Sequence, residues 1–419
     1  MQGGFNPSCI LIVHLIYVDM KLFISSLFLI FCVSCSSRQE DRSEEEPLYT
    51  LDVSSVDKTV CEIPLSDLLE SFEIVKLENR PEAFSKIWSW FIDKDFIGLF
   101  SRPDPLKLFT REGKFICSIG GVGEGPGEYF SVIHASFDKS YNRAYLSDFR
   151  GNKIKVYELS SGTFLPKETI LLPEPCNFPI FYMDPEEKEL MVFHIPFQAS
   201  KTNTHYKKTN VNFGWVQDFK GNVLQAIPAE QYAIPLNMGS SVHFDMFQGD
   251  PPVFAVHLAD IRATRNDTLY HYDKARNELI PRFTTNLPSD PLYLIKVMET
   301  PLYYYAYGQK YTVELNPEYL EKLWTIQVNK STKEAKYVKV INDYLGGTEF
   351  EFSFFLGCIG GNYFFKSYEP LELKDLLEGV LQNNTFLSDK KRRELTKLKD
   401  SLHENDNNVL LIGKLKTRY

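Results

Sequence analysis

The residues best spaced for chemistry sit in one short stretch, Gly120-Gly121-Val122-Gly123-Glu124-Gly125-Pro126-Gly127-Glu128-Tyr129. Glycine-rich loops can cradle phosphate through bare backbone N–H groups. This loop lacks the Lys-Ser/Thr ending of a P-loop and carries Glu124 and Glu128, whose charge repels phosphate. A dinucleotide fingerprint opens a helix, whereas strand-like residues follow here. Two readings remain. Glycines supply positive φ and close packing for a tight connection between β elements. Alternatively, Glu124, Glu128 and loop carbonyls hold a hard cation such as calcium, which takes oxygen ligands. The backbone argument favours the structural reading, with no cofactor and no metal.

The remaining chemistry-bearing residues are scattered. His14, His134, His194, His205, His243, His257, His271 and His403 form no H-E-x-x-H or H-x-H pattern. His243 with Asp245, or His257 with Asp260, would join a site only through folding. There is no G-x-S-x-G elbow, which argues against an α/β-hydrolase. No catalytic residue is named on this basis. Cys61, Cys117, Cys176 and Cys358 lie far apart with no C-x-x-C spacing, so they read as free thiols, mostly in the core. Trp88, Trp90, Trp215, Trp324 and the run Tyr303-Tyr304-Tyr305-Ala306-Tyr307 could stack on sugar rings. Core packing is the favoured reading of the tryptophans, and Trp88 and Trp90 share a strand face. The tyrosine run is too rich to be all core and should show partly on a loop or edge. Asp267-Thr268-Leu269 and Asp400-Ser401-Leu402 match a short D-[ST]-aliphatic O-glycosylation pattern, a weak signal at three residues.

The elements that must position these residues are mostly strands. Aromatic residues make up 14% of the chain, which suits half-buried pleated surfaces. A net charge of −9 argues against nucleic acid as a partner. A strand–turn–strand pattern returns along the chain. It starts at Leu106, Asn152, Phe213, Asp267 and Leu323, with spacings of 46, 61, 54 and 56 residues. Blades of a β-propeller repeat at about 40–50 residues, lengthened by loop insertions. Five such hairpins leave a sixth blade to be built from the chain ends. Phe72–Leu77 and Val409–Leu415 are strands without a blade, and pairing them closes the ring and removes exposed edges. Leu371–Leu381 and Ser388–Leu402 break the pattern with apolar residues at helical spacing, so a helical insertion over about 371–402 packs on the last blade. The fold expected is therefore all-β, a six-bladed β-propeller over 51–419.

The first 35 residues differ. Asp19 and Lys21 interrupt two apolar runs, neither of which reaches the roughly 20 residues of a membrane helix. Met20 followed by Lys21, the apolar run Leu22–Val33 and Cys32-Val33-Ser34-Cys35 reads as a signal peptide starting at Met20. Its end resembles a bacterial lipobox, with Cys32 where Leu is usual, which would place a lipid on Cys35. Residues 36–50 are polar and acidic and read as a disordered tether. An acidic stretch after a lipidated cysteine resembles the export signal of surface lipoproteins in the Bacteroidetes.

The glycine-rich stretch resembles the G-x-G-x-G-P-G-E-Y signature of Bacteroidetes lipoproteins with six-bladed propellers. Lys114-Phe115-Ile116 leading into it, Asn142–Asp148 followed by Asn152–Tyr157, and Leu402–Leu411 at the end extend the resemblance over roughly residues 60 to 419. It implies a propeller and an outer-membrane, lipid-anchored location that can face the cell surface. It implies no ligand and no catalytic residue. The leading expectation is a binding or scaffold module whose propeller face meets a glycan or a protein. The runner-up is a glycan lyase or hydrolase, since propellers host both.

Overall fold

The computed structural model describes residues 47–418 except 85, 185, 200–207, 235–241, 248–253, 261–267, 288–292, 311–323, 350–358, 361 and 385–386. Cys35, Cys358, His14, His205 and Asp267, with the leader and nearly all of the tether, lie outside the described residues.

Six antiparallel sheets follow one another along the chain. Blade 1 comprises Ser89–Ile92, Phe96–Phe100, Leu106–Thr110 and Phe115–Ile119; blade 2 comprises Val132–Asp138, Arg143–Asp148, Arg150–Glu158 and Ile170–Asn177. Blade 3 comprises Ile180–Asp184, Glu189–Phe193, Asn212–Asp218 and Val223–Pro228. Val242–Phe247, Ala255–Asp260, Leu269–Asp273 and Glu278–Thr285 build blade 4, and Tyr293–Glu299, Tyr303–Lys310, Trp324–Asn329 and Ala335–Asn342 build blade 5. Blade 6 takes Ile359–Gly360, Tyr363–Tyr368 and Val409–Leu415 from the C-terminal part and Leu69–Lys76 from the N-terminal part. The chain is a six-bladed β-propeller.

Closure is the pairing expected from counting. Val409 faces Lys76, Leu411 faces Ile74 and Gly413 faces Phe72 in an antiparallel register. Among the described residues five apolar clusters occupy the contacts between neighbouring blades. One joins Phe100, Leu106 and Leu108 of blade 1 to Ala135 and Leu146 of blade 2. Another joins Val156 and Ile170 of blade 2 to Phe181 and Val192 of blade 3. The cluster of Ile97, Leu99 and Phe109 with Phe365, Leu410 and Ile412 seals the first blade to the sixth. Leu48–Tyr419 is one compact unit, and every described strand lies within it, so this unit carries its own fold.

Several details depart from expectation. The chain is already a strand at Tyr49–Leu51, lying parallel on the outer edge of blade 4, so the last residues assigned to the tether belong to the fold. Val60–Pro64 covers the outer edge of blade 5 in the same way. Both protect edges that would otherwise stay open. In blade 2 the expected strand at Thr163–Leu165 is a single bridge, Tyr157 to Phe164, and the outer strand starts later at Ile170.

The helical insertion forms helix α1, Pro370–Asn383, and helix α2, Asp389–Asp400. Glu369 and Glu372 make a capping box on α1, and the Ser388 hydroxyl accepts from Lys391 N–H to start α2, as expected for a cap. Leu373, Leu377 and Leu395 are buried against the last two blades. Among the described residues no helix is long and apolar enough to cross a membrane.

In a four-stranded antiparallel blade the first and third strands start at the same rim. The connection into each blade and the loop between its second and third strands therefore share that rim. It carries the glycine-rich stretch, both helices and the turns after Phe100 and Asp148. We call it the connector rim.

Leu411 is fully buried while its cross-strand partner Ile74 is 39% exposed. Leu411→Ala is expected to cost about 2–5 kcal/mol and Ile74→Ala under about 1 kcal/mol. Denaturant unfolding of the two variants checks the difference.

Candidate functional site

The glycine-rich stretch joins blade 1 to blade 2. Gly121–Val122 and Glu128–Tyr129 pair in a short parallel ladder, so the loop folds back on itself. Gly120 has φ +61°, and a Cβ there would lie 2.7 Å from the Tyr157 ring. A Cβ on Gly123 would lie 2.1 Å from Glu128 Oε2. The Glu128 carboxylate fills the space that the glycines leave, and it accepts Gly125 N–H at 2.9 Å. Glu124 is exposed. Tyr129 is buried; its hydroxyl donates to Ile119 O at 2.6 Å and accepts Leu106 N–H at 2.7 Å. Among the described residues no three His, Cys, Asp or Glu side chains gather as a metal site would require.

The loop delivers Phe130 to the connector rim, where Asp148 and Lys155 fix it. Asp148 Oδ2 accepts from Phe130 N–H at 3.0 Å, and Oδ1 accepts from Ser131 N–H at 2.9 Å and Phe149 N–H at 2.8 Å. The Lys155 ammonium sits 3.3 Å from Asp148 Oδ2 and also donates to Glu128 O. Burial pushes the Lys155 ammonium below its usual range, against the opposing pull of Asp148. Blade 1 repeats the device: Lys107, at the matching place in Leu106-Lys107-Leu108-Phe109, donates to Glu82 O and Phe84 O of the connection entering that blade.

These supports hold up a row of aromatic rings. Arg102 lies over the Phe130 ring, 3.9 Å from its centre. Phe130 and Phe149 are 6.0 Å apart, and Phe149 meets Phe178 edge-on at 4.5 Å. Phe130 is 53% exposed. Phe178, in the connection between blades 2 and 3, has φ +51°, a region that costs a bulky residue on the order of 1–3 kcal/mol. Its N–H donates to Phe149 O at 3.1 Å. Trp88 is 76% exposed at the start of blade 1, its N–H on Phe100 O at 2.9 Å, two residues before Arg102.

Behind Phe178, Asn177 anchors the turn. Its side-chain amide reaches Ile195 O and Asn210 Oδ1, each at 3.4 Å, and its N–H faces His194 Nδ1 at 3.5 Å. His194 Nε2 contacts Asn212 O at 2.8 Å, which assigns the proton to Nε2. Burial lowers the His194 pKa while Glu174, 4.0 Å away, raises it. His134 stands edge-on between Phe91 and Phe181, and burial pushes its pKa down to about 4. At the opposite rim Glu299, buried, is 2.7 Å from His271 Nε2 and paired with the Lys330 ammonium, a bridge between blades 4 and 5. Burial raises the Glu299 pKa, but His271 and Lys330 hold it below the usual carboxylate value overall.

Other expected residues fall apart. Asp245 and His257 face each other in the backbone register of blade 4, whereas His243 faces Ala259. Trp90 stacks on Phe365 at 4.9 Å between blades 1 and 6, and Trp215 is buried. Trp88 does not share their burial, because it precedes the strand that holds Trp90. The tyrosine run is not on display: Tyr304 and Tyr305 are buried, and Tyr303 and Tyr307 are half-buried in the second strand of blade 5. Cys176 is buried and Cys61 and Cys117 are half-buried, all three free; burial pushes the Cys117 thiol up to about 11. The Ser401 hydroxyl is engaged by Leu398 O and the Lys76 ammonium.

A family described as a domain of unknown function, DUF4934, matches residues 48–414. The chain belongs to that family. Among solved structures, this DUF4934 chain is similar to a Bacteroides fragilis protein titled "putative exported protein", at 16% identity and TM-score 0.53, covering 85% of this chain and 100% of that one. A member of the DUF4221 family from Bacteroides vulgatus matches at 9% identity and TM-score 0.36, covering 83% and 97% of the two chains. Hydrazine synthase of Kuenenia stuttgartiensis matches at 10% identity and TM-score 0.39, covering 77% and 84%. No curated protein matches. The first likeness shows the fold alone.

Asp148→Asn removes the charge that holds three backbone N–H groups and Lys155. A loss of about 1–3 kcal/mol is expected in denaturant unfolding, with faster amide exchange at Phe130, Ser131 and Phe149. The two buried histidines set a pH window. Their folded pKa values lie below the ordinary value of 6.5, so folding favours the neutral ring. Their contribution is complete above about 6.5 and is lost as pH falls, for His134 towards about 4. The unfolding midpoint should therefore drop across this window, and His134→Gln should flatten the drop.

Proposed function

We propose that this protein is a binding or scaffold module, held at the outer membrane by a lipid on Cys35, that meets its ligand or partner on the connector rim. The carrying observation is the ring row Phe130, Phe149 and Phe178 beside Arg102. Exposed rings held on a rigid support lose little conformational freedom when they bind. The residues beneath them are committed to support: Asp148 and Lys155 hold the backbone, and Glu128 fills its own loop. The reading calls for no metal or cofactor and for no nucleic acid.

The lipobox-like segment ending at Cys35 and the acidic tether support the anchored location, and the "putative exported protein" title of the Bacteroides fragilis neighbour supports only a place outside the cytoplasm. An enzyme on this scaffold would gather groups of displaced acidity at one place. Among the described residues the groups of displaced acidity that do meet, Lys155, Tyr129 and Tyr157, are buried supports of the glycine-rich loop, and His134, His194 and Glu299 stand in separate blade contacts.

Two measurements test the proposal. Cell fractionation should find the protein in the outer membrane with a fatty-acyl label, and Cys35→Ser should abolish the label and release the protein. Glycan-array and pull-down profiling should give a ligand whose binding falls at least tenfold in Trp88→Ala or Phe130→Ala while melting stays near wild type. A ligand that these variants bind unchanged, or one that the protein also cleaves, would refute the reading.

A further inference from the structure

We infer that the ligand of the connector rim is an acidic glycan, an oligosaccharide bearing uronic acid carboxylates, with its sugar rings on the exposed aromatics and a carboxylate on Arg102. The inference rests on the binding reading above and adds the chemical class of the ligand. Arg102 is exposed, forms no ion pair among the described residues, and its guanidinium donates no hydrogen bond to any of them; its guanidinium carbon lies 3.9 Å from the centre of the Phe130 ring. Stacking on a ring leaves the planar N–H fork of an arginine free at its edge, and that fork matches a carboxylate with two parallel hydrogen bonds. A bare, oriented cation in a chain of net charge −9 selects an anion locally while the rest of the surface repels bulk polyanions.

The rings define the rest of the ligand. Phe130, Phe149 and Phe178 form a continuous row from Arg102. The Phe178 backbone is held in the left-handed region at φ +51°, so ring presentation persists despite its backbone cost. An extended peptide would instead look for unpaired main-chain groups. Here the N–H groups of Phe130, Ser131 and Phe149 are taken by Asp148, and that of Phe178 by Phe149 O. What remains is apolar ring surface and one guanidinium. Pyranose rings present apolar C–H faces suited to the former, and a uronate carboxylate at the ring margin suits the latter.

Trp88 provides the readout, because it is 76% exposed while Trp215 is buried and Trp90 and Trp324 are half-buried. The Leu48–Tyr419 unit is titrated with tetrasaccharides of galacturonate, mannuronate and hyaluronan, and with cellotetraose and mannotetraose as neutral counterparts. Tryptophan emission and calorimetry follow binding. At least one uronate should bind and change the emission, and the neutral sugars should not. Dissociation constants should rise at least tenfold in Arg102→Gln and in Phe178→Ala, and carboxyl reduction of the sugar should have the effect of Arg102→Gln. Because Phe178→Ala can disturb its turn, Phe130→Ala serves as the second ring variant, and melting curves accompany all three. Absence of uronate binding, equal binding of a neutral counterpart, or an unchanged Arg102→Gln would overturn the inference. Another ligand lost in the ring variants would then leave the binding reading standing; ring variants that keep every ligand would remove both.

Discussion

The architecture depends on one strand pair. Leu69–Lys76, contributed by the N-terminal part of the chain, hydrogen-bonds along Val409–Leu415 from the C-terminal part. Without it the sixth blade has no outer strand, and the cluster that seals Phe365, Leu410 and Ile412 on Ile97, Leu99 and Phe109 loses Val75 and Leu77. A closed ring removes that edge and makes each blade contact depend on the others. The N-terminal strands Tyr49–Leu51 and Val60–Pro64 extend this logic by covering two outer edges on the way to the closing strand.

Closure also fixes the direction of every blade, which gathers the inter-blade connections and half the intra-blade loops on one rim. Residues far apart in sequence meet there. Arg102 leaves blade 1, Phe130 enters blade 2, Phe149 turns within it and Phe178 leads to blade 3. Their support is electrostatic and buried: one carboxylate takes three N–H groups and one ammonium ties it to the incoming loop. Such a cluster is costly to desolvate and holds only while all its members are paired. It makes the rim rigid, and rigidity is what lets exposed rings act as a binding surface.

Much of this fold was legible in the sequence because its signals are local. Alternating residues with turns at Arg111–Lys114 and Lys220–Asn222 marked hairpins that the blades contain, the turn at Ser160–Gly162 led only to the bridge at Phe164, and Leu373, Leu377 and Leu395 marked helix faces that are buried. The closing pair was accessible by counting. Local signals failed where tertiary context decides. Trp88 and Trp90 have strand spacing, yet the strand starts between them, at Ser89. The tyrosine run entered the core because its strand has blades on both sides. The rim aromatics gave no warning: in a chain with 32 phenylalanines, nothing in the sequence separates Phe130 or Phe178 from the core. The repeated Leu106-Lys107 and Ile154-Lys155 pairs were visible as strand residues, but only the fold shows that both lysines turn to the connection entering their blade.

The claim that organises this account is that the connector rim over blades 1 to 3 is the working face. Hydrogen–deuterium exchange of the Leu48–Tyr419 unit, with and without a glycan or protein that it binds, tests it most directly. The account predicts slowed exchange around residues 101–104, 130–132, 149–150 and 178–180. Protection confined to the opposite rim, at the turns 111–114, 139–142 and 160–162, would contradict it.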